Sequence, residues 1–219
     1  MEPKKYEKPK IPFVIFKQPA ETLRVLRAQK RFYLCGGDVV AEETLDTEGK
    51  VVAATGSVPD GVVREFYPDG KTKLEAAYQN GRPHGRAKEY SSDGRLCLQA
   101  EYKNGLLDGL RKVFSYSETG IICEEAFFRC GLLDGVRRVS YDDGGLWREE
   151  NYSKGRLNGA KKTYHKNGKL KSEENYKNDV LDGKRLVWRE NGGLETEETY
   201  ENGKLTASKN FLAGGKELP

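Results

Sequence analysis

Histidine is almost missing from this chain: His84 and His165 are the only two among 219 residues. The four cysteines, Cys35, Cys97, Cys123 and Cys130, form no CxxC pair, and neither histidine stands near two of them. The sequence therefore offers no zinc-ligand set. It also has no run of about 18 apolar residues, the least a membrane-crossing helix needs. The apolar stretch at residues 11–16 is too short for the core of a secretory signal, and no small-residue cleavage site follows it. A soluble, cytoplasmic protein is the expectation. Hydrophobic residues make up 36% of the chain and mean hydropathy is −0.78, which is poor material for a large two-layer core. An excess of one charge is missing too: 38 basic against 34 acidic residues leave +4, too balanced to imply nucleic acid.

Repetition is what the chain has instead. Glycines recur at Gly61, Gly85, Gly109, Gly135, Gly159 and Gly183, with spacings of 24, 24, 26, 24 and 24. A second series, Gly70, Gly94, Gly120, Gly144, Gly168 and Gly192, places the two extra residues between Gly109 and Gly120. A period of this size marks an array built from one supersecondary unit. Aromatics at 10%, with 12 tyrosines, argue against disorder. Catalytic groups tend to occur once, and nearly everything here recurs. The expectation is a non-enzymatic protein with no catalytic residue, cofactor or metal site and no small-molecule substrate.

Each repeat reads as one β-hairpin. Asp69-Gly70, Asp93-Gly94, Asp143-Gly144, Asn167-Gly168 and Asn191-Gly192 are expected to form type I′ turns, with positive φ at both central residues. That assignment sets a register. It places Arg64 opposite Glu75, Arg138 opposite Glu149, Lys162 opposite Glu173, Lys88 opposite Gln99 and Leu186 opposite Glu197. In the odd repeat a four-residue loop, Ser117-Glu118-Thr119-Gly120, places Lys112 opposite Glu125, because an insertion of two preserves side-chain parity. Four of the six repeats thus carry a basic–acidic cross-strand pair.

Two aromatic columns repeat as well. Phe66, Tyr90, Phe114, Tyr164 and Trp188 lie on first strands, with Ser140 breaking the series and Tyr141 beside it. Tyr78, Tyr102, Phe128, Tyr152, Tyr176 and Tyr200 end the second strands. Strict alternation puts the columns on opposite faces; a bulge between Glu75 and Tyr78, and its equivalents, would unite them. A third column, Pro83, Leu107, Leu133, Leu157, Leu181 and Leu205, is expected inside the connecting turns, followed by Asp or Asn and a turn glycine. Cys97 and Cys123 hold matching places in successive repeats, so a disulfide is open to them, though free thiols are favoured.

The pattern Tyr-x-Asn-Gly-x-Leu-Asp-Gly, then an aromatic, Asn/Asp-Gly-x-Leu and Glu, resembles the MORN repeat family. It is similar to the bacterial MORN-variant group of YwqK-type antitoxins. The best matches are Tyr152-Ser153-Lys154-Gly155-Arg156-Leu157-Asn158-Gly159 and Glu174-Asn175-Tyr176-Lys177-Asn178. The resemblance implies an all-β fold: an elongated, twisted, single-layer antiparallel sheet of tandem hairpins, of about 13 or 14 strands here. It also implies action through protein partners, or through membranes and phosphoinositides in some relatives, and for the antitoxin group neutralisation of a partner protein.

Residues 37–207 form the expected array, with 37–60 degenerate and 61–207 holding six clear repeats. Residues 1–36 are expected to be a Lys-rich tail and a cap, with a short strand at 11–16 and a helix at 19–31. Residues 208–219 are expected to close the other end. A protein partner is the leading expectation. An acidic membrane surface, met by the Lys-rich N-terminus (Lys4, Lys5, Lys8, Lys10) and the column Arg111, Arg137, Lys161 and Arg185, is the alternative. The candidate partner-binding residues are Tyr141, Trp147 and Trp188, large aromatics that break the column pattern. For Trp147 the competing expectation is that it fills the gap left by Ser140, directly opposite it.

Overall fold

The computed structural model describes residues 13–17, 29–35, 38–46, 50–115 and 121–218. Every regular element among them is a β-strand, and none is a helix long and apolar enough to cross a membrane. The chain divides into two compact units. Unit 1 holds Met1–Leu96 with Tyr102–Gly105, and unit 2 holds Cys97–Glu101 with Leu106–Pro219.

In unit 1 the strands are β1 (Phe13–Lys17), β2 (Gln29–Cys35), β3 (Asp38–Leu45), β4 (Val51–Gly56), β5 (Gly61–Phe66), β6 (Thr72–Gln79) and β7 (Arg82–Tyr90). They lie in the order β4–β3–β2–β1–β5–β6–β7, all antiparallel except β1 against β5. The strand expected at residues 11–16 is therefore β1, and it covers the edge of the first clear hairpin. The β3–β4 hairpin does not stack in series on β5. Residues 29–31, expected to end a helix, are strand. The rest of that segment, the Lys-rich stretch at residues 1–10 and the loop at 117–120 fall outside the described residues. Tyr33, Ala41, Val58 and Val63 make a small buried cluster, with Tyr78 meeting Tyr33 edge-on at 6.2 Å.

Unit 2 runs in sequence. Its strands are β8 (Leu96–Lys103, of which Cys97–Glu101 belong here), β9 (Leu106–Leu107), β10 (Gly109–Phe114), β11 (Ile122–Arg129), β12 (Leu132–Ser140) and β13 (Leu146–Ser153). There follow β14 (Arg156–Tyr164), β15 (Leu170–Lys177), β16 (Val180–Trp188), β17 (Leu194–Glu201) and β18 (Lys204–Asn210). β8 pairs with β10, and from β10 to β18 each strand pairs antiparallel with the next. The tail at residues 211–218 folds into another turn of the repeat type, with Leu212 N–H donating to Lys216 O and Gly215 N–H to Leu212 O. Cys97, Cys123 and Cys130 form no disulfide with one another.

The expected register holds at five of the six pairs, but through different turns. Arg64 faces Glu75, Lys112 faces Glu125, Arg138 faces Glu149, Lys162 faces Glu173 and Leu186 faces Glu197. Yet Asp69, Asp93, Asp143, Asn167 and Asn191 do not take positive φ, so these turns are not type I′. Tyr67 N–H donates to Lys71 O and Gly70 N–H to Tyr67 O, which makes a three-residue loop ending in a left-handed glycine. One extra residue in the returning strand then restores the expected pairing: Glu65 faces Leu74, but Phe66 faces Thr72. In unit 2 that shift matters chemically. Without it Tyr164 would face Lys171; with it Tyr164 faces Leu170 and Trp188 faces Leu194. These two bulges thus exchange a polar residue for an aliphatic one against an aromatic ring.

The type I′ geometry sits in the connecting turns instead. Asn80-Gly81, Asn104-Gly105, Cys130-Gly131, Lys154-Gly155, Asn178-Asp179 and Asn202-Gly203 all have positive φ at both residues. The Leu-Asp-Gly column is not in a turn at all. Leu133, Asp134 and Gly135 lie within β12, where the pairing with β11 skips between Ala126 and Phe128. That bulge lies on the first strand of the next hairpin, so it does not rotate Tyr78 or its equivalents. The two aromatic columns remain on opposite faces.

Lys154 takes φ 51° at a place where Asn80, Asn104 and Asn202 stand elsewhere. Lys154→Asn should stabilise unit 2 by roughly 0.5–1 kcal/mol in chemical unfolding, because asparagine tolerates the left-handed region better. Gly135→Ala should cost roughly 2–3 kcal/mol in the same assay. Its φ is 132°, and an added Cβ would stand 3.0 Å from Phe127 Cβ. Equal midpoints for the three proteins would contradict the turn assignment.

Candidate functional site

Alternation along the strands of unit 2 gives each face its own charge row. The first face carries Arg111, Glu124, Arg137, Glu150, Lys161, Glu174, Arg185 and Glu198. The second carries Lys112, Glu125, Arg138, Glu149, Lys162 and Glu173. On the second face the pairs are simple: Arg138 Nε donates to Glu149 Oε2 at 2.8 Å, and Lys112 stands 3.1 Å from Glu125. Such half-exposed pairs set register more than they add stability.

The first face is a chain of shared ions. Arg111 donates to Glu124; Arg137 donates to both Glu124, at 2.9 Å, and Glu150, at 2.8 Å. Further on, Glu174 receives Lys161 and Arg185, and Arg185 also reaches Glu198 at 2.7 Å. Glu150 is only 4% exposed. Burial opposes the charge on Arg137, but the bonds to Glu124 and Glu150 outweigh it and hold its pKa above the ordinary value. Tyrosines alternate with these carboxylates. Tyr176 donates its hydroxyl to Glu174 at 2.8 Å and Tyr200 to Glu198 at 3.1 Å. Burial and the neighbouring Glu174 push the Tyr176 phenol up to about 12. Burial opposes the Glu174 charge, yet the bonds from Tyr176, Lys161 and Arg185 lower its pKa.

This pairing bears on the basic column Arg111, Arg137, Lys161 and Arg185. Each of the four already has a glutamate partner. The column is a neutralised ladder and presents no free positive stripe to an acidic membrane.

A second ladder ties the three-residue loops together. Tyr67 donates its hydroxyl to Tyr90 O, Tyr141 to Tyr164 O, and Arg189 its guanidinium to Phe211 O, each at 2.7 Å. His165 Nε2 stands 2.9 Å from Trp188 O and carries the proton for that bond. Tyr141 therefore does not break the pattern, since Tyr67 occupies the same place three repeats earlier. The structure brings Tyr141 and Trp147 together, ring centroids 6.2 Å apart, with Arg148 4.9 Å over the indole and Lys166 6.0 Å over the phenol. Trp147 is 40% exposed. It is the extra residue of its bulge, and Ser140 faces Leu146, so Trp147 does not stand directly opposite Ser140. Trp188 sits apart on β16, half-buried against Leu194.

Sequence reading missed a different group. Phe127 is 42% exposed, and Leu106 and Leu132 are each 51% exposed. Leu106 lies against the backbone of Gly131, next to Leu132, and Phe127 lies over Gly135. Leu132 faces Arg129, two residues from Phe127 on the same strand, so all these apolar side chains share the second face. At the places of Phe127, later hairpins carry Asn151 and Asn175, which donate to the bulge carbonyls of Ala160 and Lys184. A phenyl ring cannot make that bond. Among the described residues no group of three His, Cys, Asp or Glu is placed to hold a metal.

Residues 59–80, 83–104, 157–178 and 181–202 each match the MORN repeat variant. Four segments of the chain thus resemble that repeat. Between the matched pairs the bulges and the Cys130-Gly131 and Lys154-Gly155 connecting turns recur, so the structural repeat extends through β10–β13, with the β10–β11 loop outside the described residues. No curated protein matches the chain. MORN-variant repeats are in general non-catalytic interaction modules, which agrees with a site made of recurring pairs and one non-recurring apolar patch.

Arg137 and Arg138 are neighbours on opposite faces, and truncation should separate their roles. Arg137→Met should cost roughly 2–3 kcal/mol by leaving the buried Glu150 with only the more distant Arg148, at 3.5 Å, and Arg138→Met about 0–1 kcal/mol. Comparable losses in denaturant titrations would contradict the ion-ladder description.

The pH profile should be bounded on both sides. Glu174 has its pKa lowered from 4.5 on folding, so its contribution is present at neutral pH and is lost as pH falls through the carboxylate range. Tyr176 is raised from 10.0 to about 12, so its contribution is complete below the lower value and is lost as pH rises towards the higher. Glu174→Gln should flatten the acid limb of a stability–pH curve and Tyr176→Phe the alkaline limb. Unchanged limbs would count against both assignments.

Proposed function

We propose that this chain is a non-enzymatic protein-interaction module whose partner seats on the apolar patch of unit 2 formed by Leu106, Phe127 and Leu132. One observation carries the reading. The repeat needs a polar or small residue where Phe127 stands, and Phe127 exposes a ring that the hairpin does not use. Aromatic side chains bury large area at low entropic cost and are the commonest anchors of protein interfaces. Trp147, backed by Tyr141, is a second anchor on the loop side of the same unit; Trp188 contributes less, being half-buried in its column. The finer reading is antitoxin-like: the partner is a protein whose activity this surface blocks when it is covered. It rests on the likeness of the Tyr-x-Asn-Gly-x-Leu-Asp-Gly pattern to that group.

A photo-crosslinking residue at position 127, in the native cell, should trap one discrete protein. The same residue at position 175, the matching place two hairpins on, should trap none. Labelling at 175 and none at 127 would overturn the assignment. If the trapped protein arrests growth when expressed alone, the wild-type chain should relieve the arrest and Phe127→Ser should not. Relief by both would remove the antitoxin reading while leaving the interaction.

A further inference from the structure

We propose that the outer edge of β4 pairs with the same edge of a second copy of this chain, forming an isologous dimer through unit 1. Among the described residues β4 pairs only with β3. All six of its residues, Val51–Gly56, are exposed, Val52 to 60%. A free strand edge presents unpaired N–H and C=O groups and is normally blunted with charge, proline, a bulge or a covering segment; of these, β4 has only the bulge at Val52 among the described residues. β18, exposed along its length, carries Lys204 and Lys209. β4 reads Val-Val-Ala-Ala-Thr-Gly and carries no charge.

The ladder fixes which groups are free. Ser57 N–H donates to Val40 O, so the hydrogen-bonded pairs of this antiparallel ladder are 40 with 57, 42 with 55 and 44 with 53. Thr55 and Ala53 turn their backbone groups to β3, while Ala54 turns its N–H and C=O outward. A two-fold axis at Ala54 makes Ala54 exchange both bonds with its counterpart. Ala53 then faces Thr55 of the other copy, and Val52, the extra residue of the β4 bulge, lies across from Gly56, where φ is 76° and the strand ends. No charge opposes a like charge, and no charge is left facing an apolar group within the strand. A foreign strand would gain no charge complement from β4, whereas a second copy needs none. One six-residue strand buries less than a standard stable interface, so the dimer is weak and concentration-dependent. This surface lies in unit 1 and does not rest on the partner patch of unit 2.

Sedimentation velocity of the full chain over a wide concentration range tests it. The wild-type weight-average mass should rise from monomer towards dimer. Ala54→Pro removes only an outward N–H, and proline is tolerated on an edge. It should keep the mass monomeric with unchanged circular dichroism. Ala53→Pro removes an N–H facing β3 and should lower the unfolding midpoint. Val52→Lys, which leaves the backbone intact, should also hold the chain monomeric. A wild-type chain that stays monomeric throughout overturns the proposal, as does equal association of wild type, Ala54→Pro and Val52→Lys. A chain that is monomeric alone but binds an uncharged extended peptide at β4 would assign the edge to a foreign strand and overturn it equally.

Discussion

Everything in unit 2 depends on keeping side-chain parity through a long succession of antiparallel pairs. A one-residue slip in any pair would move every later side chain to the other face. The repeat contains two irregularities, and each does local work without disturbing the next pair. The loop-end bulge brings Leu170 or Leu194 against an aromatic ring. The bulge at Gly159 or Gly183 lets the chain pass under Asn151 or Asn175, whose amide satisfies a carbonyl there. With parity secure, charges fall into matched rows. Arg137 can serve two glutamates because both reach it from neighbouring strands on one face.

That constraint divides residues into those the repeat needs and those it does not. Tyr141 belongs to the first kind, since its hydroxyl ties its loop to Tyr164 O as Tyr67 ties its own to Tyr90 O. Trp188 stands in a column with Tyr164, opposite a leucine. Phe127 belongs to the second kind. It stands where other hairpins carry a small or polar residue and offers its ring to solvent. In a protein built from copies, such a departure is where individuality resides, and individuality is what a specific partner can read.

Much of this was legible in the sequence. The glycine period gave the hairpins, and the Arg/Lys–Glu pairings followed from parity, which survives an error in turn type. Assigning a two-residue loop at Asp69-Gly70 and omitting the bulge at Lys73 are errors that cancel. The turn types were not legible, because Asn-Gly occurs at both ends of the hairpin and serves different geometries. The insertion of β1 between β2 and β5 was hidden too, since no periodicity specifies a pairing across that distance. Phe127 became visible only against a known register, where Ala77, Glu101, Asn151 and Asn175 show that its position elsewhere holds a small or polar residue.

The central claim is that the chain is held by backbone register and first-face ions more than by apolar burial. Among the described residues the buried hydrophobics are few and mostly alanine or valine. The heat-capacity change of unfolding reports apolar burial most directly. Differential scanning calorimetry of the full chain should give a value per residue clearly below the roughly 12–15 cal/mol/K of ordinary globular domains. A value at or above that range would mean a conventional apolar core and would contradict the account.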